Sequence, residues 1–130
     1  MLLIGSRRGD RHAIELKALG FPVTAAGDGV EDAVLLRYPV VVVGCNSVTA
    51  LPTVAAWLRA KPNFARRVII ARVPDDTDAG VIRSLRVCGF DEVVLESVAT
   101  RVMAARIIRR IRARPELGCD LPHIPKTPAA

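Results

Sequence analysis

Residues 38–47 read Tyr-Pro-Val-Val-Val-Val-Gly-Cys-Asn-Ser. Four consecutive valines are too apolar for a strand with one face in water. They predict a strand buried on both faces, as the centre of a parallel sheet requires. In open α/β sheets, ligands and chemistry lie just beyond the carboxyl ends of such strands. Here that end is residues 44–47, which contain no carboxylate.

Other strands and helices are predicted on both sides of this stretch. Short apolar runs indicate strands at residues 1–4, 21–26, 68–71 and 93–95, and helical spacing indicates helices at 10–19, 30–37, 52–60, 79–87 and 98–114. Asp10 and Ser97 are the expected N-caps of the first and last helices, and Gly20 and Gly89 are expected to end the helices at 10–19 and 79–87.

The order of these elements is β-α repeated five times with short connections. It predicts an α/β fold, (βα)5, with a doubly wound parallel sheet of five strands joined by right-handed crossovers. The predicted domain covers residues 1–114. Residues 115–130 contain repeated prolines and predict a flexible C-terminal tail.

Composition limits the class of protein. Half of the 130 residues are hydrophobic and only 4% are aromatic, so one aliphatic core is expected. No apolar run approaches the roughly 20 residues of a membrane span, and the apolar start is too short for a signal peptide, so a cytoplasmic protein without membrane contact is expected. The net charge of +6 suits an acidic protein surface or nucleic acid.

Several stretches resemble the receiver domain of response regulators, the signalling domain of two-component systems and phosphorelays. Residues 16–23 are similar to the end of its first helix and its second strand, and Asp28-Gly29 with Ala33 is similar to the turn that follows. Residues 38–43 match the strand before the phosphoacceptor, residues 58–60 and 68–70 match the third helix and fourth strand, and residues 88–93 match the entry to the fifth strand. The resemblance implies the flavodoxin-like strand order 2-1-3-4-5.

The positions that carry the receiver's chemistry depart from the family pattern. Gly5 and Ser6 stand where the family has two acids, and Gly44 stands at the phosphoacceptor aspartate. Arg72 falls near the switch Ser/Thr, and Glu96 falls on the lysine. Phosphorylation of a carboxylate needs that nucleophile, a Mg²⁺ ion held by carboxylates and a cation for the phosphoryl group. The sequence therefore predicts a non-enzymatic pseudo-receiver, with no cofactor and no metal.

Other chemistry-bearing residues have simpler interpretations. Cys45 follows Gly44 directly and is a candidate reactive thiol, although no base or cation is nearby in the sequence, and all cysteines are otherwise expected to be buried, reduced thiols. Asp75, Asp76 and Asp78 favour capping of the next helix over a metal site. His12 is expected to be an exposed residue of the first helical turn.

The last helix is the most informative predicted surface. One face carries Met103, Ala104, Ile107, Ile108 and Ile111, and no acid occurs between residues 97 and 114. The opposite face is basic and is extended by the preceding helix; its arginines are expected to be unpaired and to bind a partner. They are Arg83, Arg86, Arg101, Arg106, Arg109, Arg110 and Arg112. In receivers, the face formed by residues corresponding to 79–114 is the usual output and dimerisation surface.

These observations favour a phosphorylation-independent signalling adaptor that binds an acidic protein surface, or itself as a homodimer, through residues 79–114. One alternative is nucleic-acid binding by the arginine-rich helix, which the scarcity of aromatic residues and the lack of an appended reader disfavour. A second is small-molecule or redox sensing in the pocket vacated near Gly44 and Cys45. A third is that the chain is the N-terminal part of a longer protein, such as a septum- or pole-localising ATPase related to pilus assembly.

Overall fold

The computed structural model of the protein describes residues 1–5, 10–26, 38–44, 48–61 and 67–113. The strands are β1 (Leu2–Ile4), β2 (Thr24–Ala26), β3 (Val40–Gly44), β4 (Val68–Val73) and β5 (Glu92–Leu95). The helices are α1 (Arg11–Ala18), α2 (Leu51–Arg59), α3 (Ala79–Val87) and α4 (Thr100–Arg112), and a 3₁₀ turn at Val48–Ala50 precedes α2. The helix predicted at 30–37 and the tail predicted at 115–130 lie outside the described residues.

The strands form one parallel sheet in the order β2-β1-β3-β4-β5, which confirms the predicted fold class. The valine strand β3 lies at its centre. Its residue Val41 is opposite Leu2 of β1 on one side and Ile69 of β4 on the other. The carboxyl ends of the strands therefore meet at one edge of the sheet, where β3 ends at Gly44 and β4 continues beyond it.

Both faces of the sheet are covered, because successive side chains of β3 point to opposite faces. Val40 and Val42 belong to a core that α1 and α4 complete. Val41 and Val43 belong to a second core, which α2 and α3 complete. All four valines are at most 2% exposed, and full burial of each side chain stabilises the fold by about 1.5–3 kcal/mol. The four-valine run thus holds both layers of the doubly wound fold together.

The two predicted helix-ending glycines are correct, and one predicted N-cap is wrong. Gly20 and Gly89, which follow α1 and α3, have φ values of 96° and 123°, which explains why glycine stands there. Ser97 does not cap the last helix. That helix begins at Thr100 after the N-cap residue Ala99, which offers no side-chain hydrogen bond.

None of the helices that the structure describes has the length and apolar character that crossing a bilayer would require.

Candidate functional site

An arginine side chain covers the carboxyl end of β3, over Gly44. Gly44 and Arg72 are register partners in β3 and β4. A Cβ atom placed on Gly44 would lie 3.2 Å from both Nε and Nη2 of Arg72. The guanidinium therefore occupies the space that a side chain at position 44 would enter. Among the described residues, this guanidinium lies in the region above Gly44 that the small-molecule hypothesis concerns, and that hypothesis stays a prediction.

Asp10 fixes this guanidinium through two parallel hydrogen bonds. Arg72 Nη2 donates to Asp10 Oδ2 at 2.7 Å, and Nη1 donates to Oδ1 at 3.0 Å. The side chains are only 10% and 8% exposed, respectively. Such bidentate pairs are strong and orientation-specific. Asp10 also caps α1 as predicted, because its Oδ1 accepts hydrogen bonds from the backbone N–H groups of His12 and Ala13.

His12 is part of the same cluster. The prediction that it is exposed was wrong, since it is 2% exposed. Its Nδ1 lies 3.2 Å from Arg72 Nη1, and its Nε2 lies 2.8 Å from the carbonyl oxygen of Val98. The cluster of Asp10, His12 and Arg72 therefore connects the start of α1 with β4 and with the segment between β5 and α4. We call it the Asp10–His12–Arg72 cluster.

Residues 96–98 are also tied to α1 and to the loop after β4. Arg11 Nη2 donates to the carbonyl oxygens of Glu96 and Val98 at 3.2 Å and 3.0 Å. Asp75 Oδ1 accepts a hydrogen bond from the Ser97 N–H at 3.0 Å. Glu96 thus contributes its backbone carbonyl to this edge and keeps an exposed side chain.

The acidic loop before α3 does not cap that helix in the predicted way. Asp78 is the N-cap residue, but its side chain makes no capping hydrogen bond, whereas Asp75 binds the Ser97 backbone. Across the described parts of the chain, no group of three or more His, Cys, Asp or Glu side chains is arranged to hold a metal ion. Of the remaining positions at this edge, Gly5 lies in a turn with φ 73°, whereas Ser6 and Cys45 lie outside the described residues.

The arginine surface on α3 and α4 is organised around a buried acid. Glu92, the first residue of β5, has a side chain only 3% exposed. Its Oε1 accepts hydrogen bonds from Arg109 Nη2 at 2.9 Å and Arg110 Nε at 3.1 Å, and its Oε2 lies 3.6 Å from Arg86 Nη2. The expectation that these arginines are unpaired is therefore wrong for Arg86, Arg109 and Arg110.

The three guanidinium groups determine the protonation of Glu92. Burial by itself would raise the pKa of this carboxyl, but hydrogen bonds from Arg109 and Arg110 and the charges of Arg110 and Arg86 outweigh it, so the pKa lies below its usual value. One negative charge faces three positive charges, so the cluster keeps an excess of positive charge. Arg109 has a side chain 71% exposed and can reach solvent while it binds Glu92.

The outer side of α4 carries arginines that this acid does not bind. A shallow depression of about 370 Å³ is lined by Arg101, Val102, Ala105, Arg106 and Arg109. Val102 is 42% exposed, so an apolar side chain lies between cationic ones. We call these five residues the α4 groove. The opposite side of α4 is buried, as the apolar spacing predicted.

Arg83 of α3 and Arg112 of α4 complete the predicted basic surface, and both are exposed. Cys88 is also exposed, contrary to the expectation of buried thiols. Cys45 and Cys119 lie outside the described residues.

Two residues of these sites escaped sequence reasoning. Glu92 was assigned no role, and Arg72 was interpreted only as a degenerate position. Each is a charged residue next to or inside an apolar strand, and burial of an unpaired charge is too costly to persist. That signal indicates that each needs a partner, but it does not say which: Asp10 is 62 residues away from Arg72.

A scan against protein-family models finds no match for this chain, and a search of curated proteins finds none either.

Proposed function

We propose that the protein is a signalling module of the receiver type that acts without phosphorylation, through protein–protein contacts made by α3, β5 and α4. The observation that carries this proposal is the position of Arg72. In a sheet with the receiver's strand order, its guanidinium lies over Gly44 and makes two hydrogen bonds to the carboxylate of Asp10.

Phosphoryl transfer to a side chain needs a nucleophile and cationic stabilisation of the charge that develops on the phosphoryl oxygens. Gly44 has no nucleophile. The cation above it is Arg72, but its charge is already neutralised by Asp10, which itself accepts hydrogen bonds from Arg72 and from the α1 backbone. This arrangement supports a fold that is retained while its phosphorylation chemistry is lost.

A phosphodonor experiment tests this part of the proposal. The protein is incubated with acetyl phosphate and Mg²⁺, or with beryllofluoride and Mg²⁺, and followed by intact mass and by amide NMR. A phosphorylatable receiver treated in parallel is the positive control. We expect no added mass and no change at Val43, Gly44 and Arg72. A phosphoryl adduct, or a specific shift of these amides, would overturn the claim of phosphorylation-independent action.

The charge of the arginine surface supports an acidic protein surface as the partner. A second copy of this chain is the other partner that we propose, and the proposed location is the cytoplasm. Glu92 offsets only part of the positive charge around it. In the part of the chain that the structure describes, neither Arg101 nor Arg106 contacts an acidic side chain, and both line the α4 groove. Guanidinium groups bind carboxylates in bidentate geometry, and an exposed Val102 adds apolar area.

The variants that test this surface should leave Glu92 paired. Changing Arg109 or Arg110 would deprive the buried Glu92 of a partner and confuse binding with stability. Arg101→Glu and Arg106→Glu avoid this, and Lys17→Glu, on the exposed side of α1, makes the same charge change elsewhere.

Self-association is measured by sedimentation, and partner binding by capture from the native cell. Loss of either with Arg101→Glu and Arg106→Glu, but not with Lys17→Glu, supports the proposed surface. Equal behaviour of all three variants contradicts it. Binding of a DNA or RNA duplex that weakens steeply with salt would favour the nucleic-acid alternative instead.

A further inference from the structure

The ring of His12 is buried between two guanidinium groups. Arg72 Nη1 lies 3.2 Å from its Nδ1, and Arg11 Nη2 lies 3.2 Å from its Nε2. The receiver-like interpretation of the fold assigns this histidine no role. Histidine changes its charge between about pH 5 and 8, so a buried histidine held by charged partners can respond to pH.

The partners of the ring determine which of its two nitrogens carries the proton. A guanidinium has only donors, so Nδ1 must accept the hydrogen bond from Arg72. The carbonyl oxygen of Val98, 2.8 Å from Nε2, can only accept, so the proton of the neutral ring is on Nε2. Arg11 Nη2, 3.2 Å from Nε2, donates to the same carbonyl oxygen at 3.0 Å and not to the ring. A second proton, on Nδ1, would point an N–H group at an N–H group of Arg72, and the contact could not persist.

The charged and polar groups that face the ring come from three elements. From α1, Arg11 approaches the ring directly, and its own partner Glu15 is 3.9 Å away from it and exposed. Arg72 approaches from β4. Asp10 is the acid nearest to them, and its oxygens already accept hydrogen bonds from Arg72 and the α1 backbone. From the segment between β5 and α4, the described group that faces the ring is the Val98 carbonyl.

We propose that His12 is a proton-sensitive latch, which holds the start of α4 against α1 while its ring is neutral and releases it when the ring is protonated. The ring joins Arg72 to Val98, two residues before α4 begins. Protonation breaks the contact with Arg72 and displaces the ring from Val98. The inference does not depend on the docking role proposed above.

Besides His12, the segment before α4 is held by Arg11, which donates to the Glu96 and Val98 carbonyls, and by Asp75, which accepts from the Ser97 N–H. The N-cap residue of α4, Ala99, provides no side-chain hydrogen bond, and Arg11 remains as the other side-chain link from α1 to Val98. The hydroxyl of Thr100, the first residue of α4, is buried without a hydrogen-bond partner. A buried, unsatisfied hydroxyl destabilises the closed state and gains a partner in water when this turn opens. Release of the latch would therefore loosen the first turn of α4, next to Arg101 of the α4 groove.

NMR on the full chain tests the latch. At about pH 7.5, ring nitrogen shifts should show that His12 carries its proton on Nε2. Lowering the pH to about 5 should change the ring and the amides of Arg72, Val98 and Thr100 together. The opening equilibrium of the Met103 amide, corrected for intrinsic exchange, should rise about five-fold, as expected for the loss of one hydrogen bond.

Matched variants separate the two histidines of the chain. His12→Gln keeps a donor for Val98 but cannot take up the proton, and His123→Gln removes the only other histidine. The change with pH should persist in His123→Gln and be absent from His12→Gln. A change that survives in His12→Gln, or no change in the wild type, would overturn the proposal. If His12→Gln does not fold, the ring nitrogen shifts of the wild type still test the proposal, because a proton on Nδ1 at about pH 7.5 contradicts the latch.

Discussion

Removal of either partner of the Asp10–Arg72 pair should destabilise the fold strongly, and the costs of the two removals should not add when both are made. The substitutions are Arg72→Met, which removes the guanidinium, and Asp10→Ser, which keeps a side chain able to cap α1. Arg72→Met leaves a carboxylate that is 8% exposed without its cation, and Asp10→Ser leaves a guanidinium that is 10% exposed without its anion. Each change therefore strands a buried charge.

The expected loss in the free energy of unfolding follows from the contacts that remain in each variant. Removal of one partner of a buried pair costs about 3–5 kcal/mol. We expect about 3 kcal/mol for each single variant, near the lower limit, because Asp10 keeps its hydrogen bonds from α1 and Arg72 keeps the contact with His12. The double variant should cost no more than about 3 kcal/mol, rather than about 6, because no unpaired charge is left.

Urea unfolding of the four proteins, followed by circular dichroism, measures these free energies. Arg83→Met is the control, because Arg83 is exposed, and its effect should stay within about 0.5 kcal/mol. A cost below about 0.5 kcal/mol for Arg72→Met would refute the burial argument. Additive costs in the double variant would show that the two side chains do not act as a pair.

Three further substitutions give distinct outcomes. Gly44→Asp should not restore phosphorylation by acetyl phosphate, because its Cβ would lie 3.2 Å from Nε of Arg72. The intact mass of the variant should be the same before and after the treatment, and a phosphoryl adduct contradicts this. Gly89→Ala should destabilise by about 1–2 kcal/mol in urea unfolding, since φ is 123° there, and an unchanged midpoint would argue against that backbone conformation. Glu92→Gln should cost about 1–2 kcal/mol at neutral pH. Because the pKa of Glu92 is lowered in the folded state, its contribution to the free energy of unfolding is fully present above the ordinary glutamate pKa. That contribution is lost as the pH falls through the folded-state pKa, so the difference in stability between Glu92→Gln and the wild type should vanish in acid. A difference that does not change with pH would contradict this.

Local patterns in the sequence predicted the architecture well. The four valines predicted the centre of the sheet because only a strand covered on both faces can be apolar at every position, and β3 lies there. The buried face of α4 followed from helical spacing. Asp10 was correctly predicted to cap α1, since capping is decided within a few residues.

The sites were harder to predict because their partners come from distant parts of the chain. Arg109 and Arg110 were expected to be unpaired since no acid occurs in their own helix, but Glu92 lies on the adjacent strand and turns toward them. His12 was expected to be exposed because its position in the first helical turn gives no indication of burial. The segment before α4, which is distant in the sequence, covers it. The receiver-like function and the docking role of the arginines stay predictions.

The sequence by itself thus determined that this protein is a doubly wound α/β domain and that residue 44 carries no carboxylate, because both depend on the composition of single segments. Only the tertiary structure decided what occupies the space above Gly44. The sheet brings β4 next to β3 and the start of α1 over both, so Arg72 can cover Gly44 and bind Asp10. Such a contact depends on the packing of segments 62 residues apart, and no local pattern encodes it.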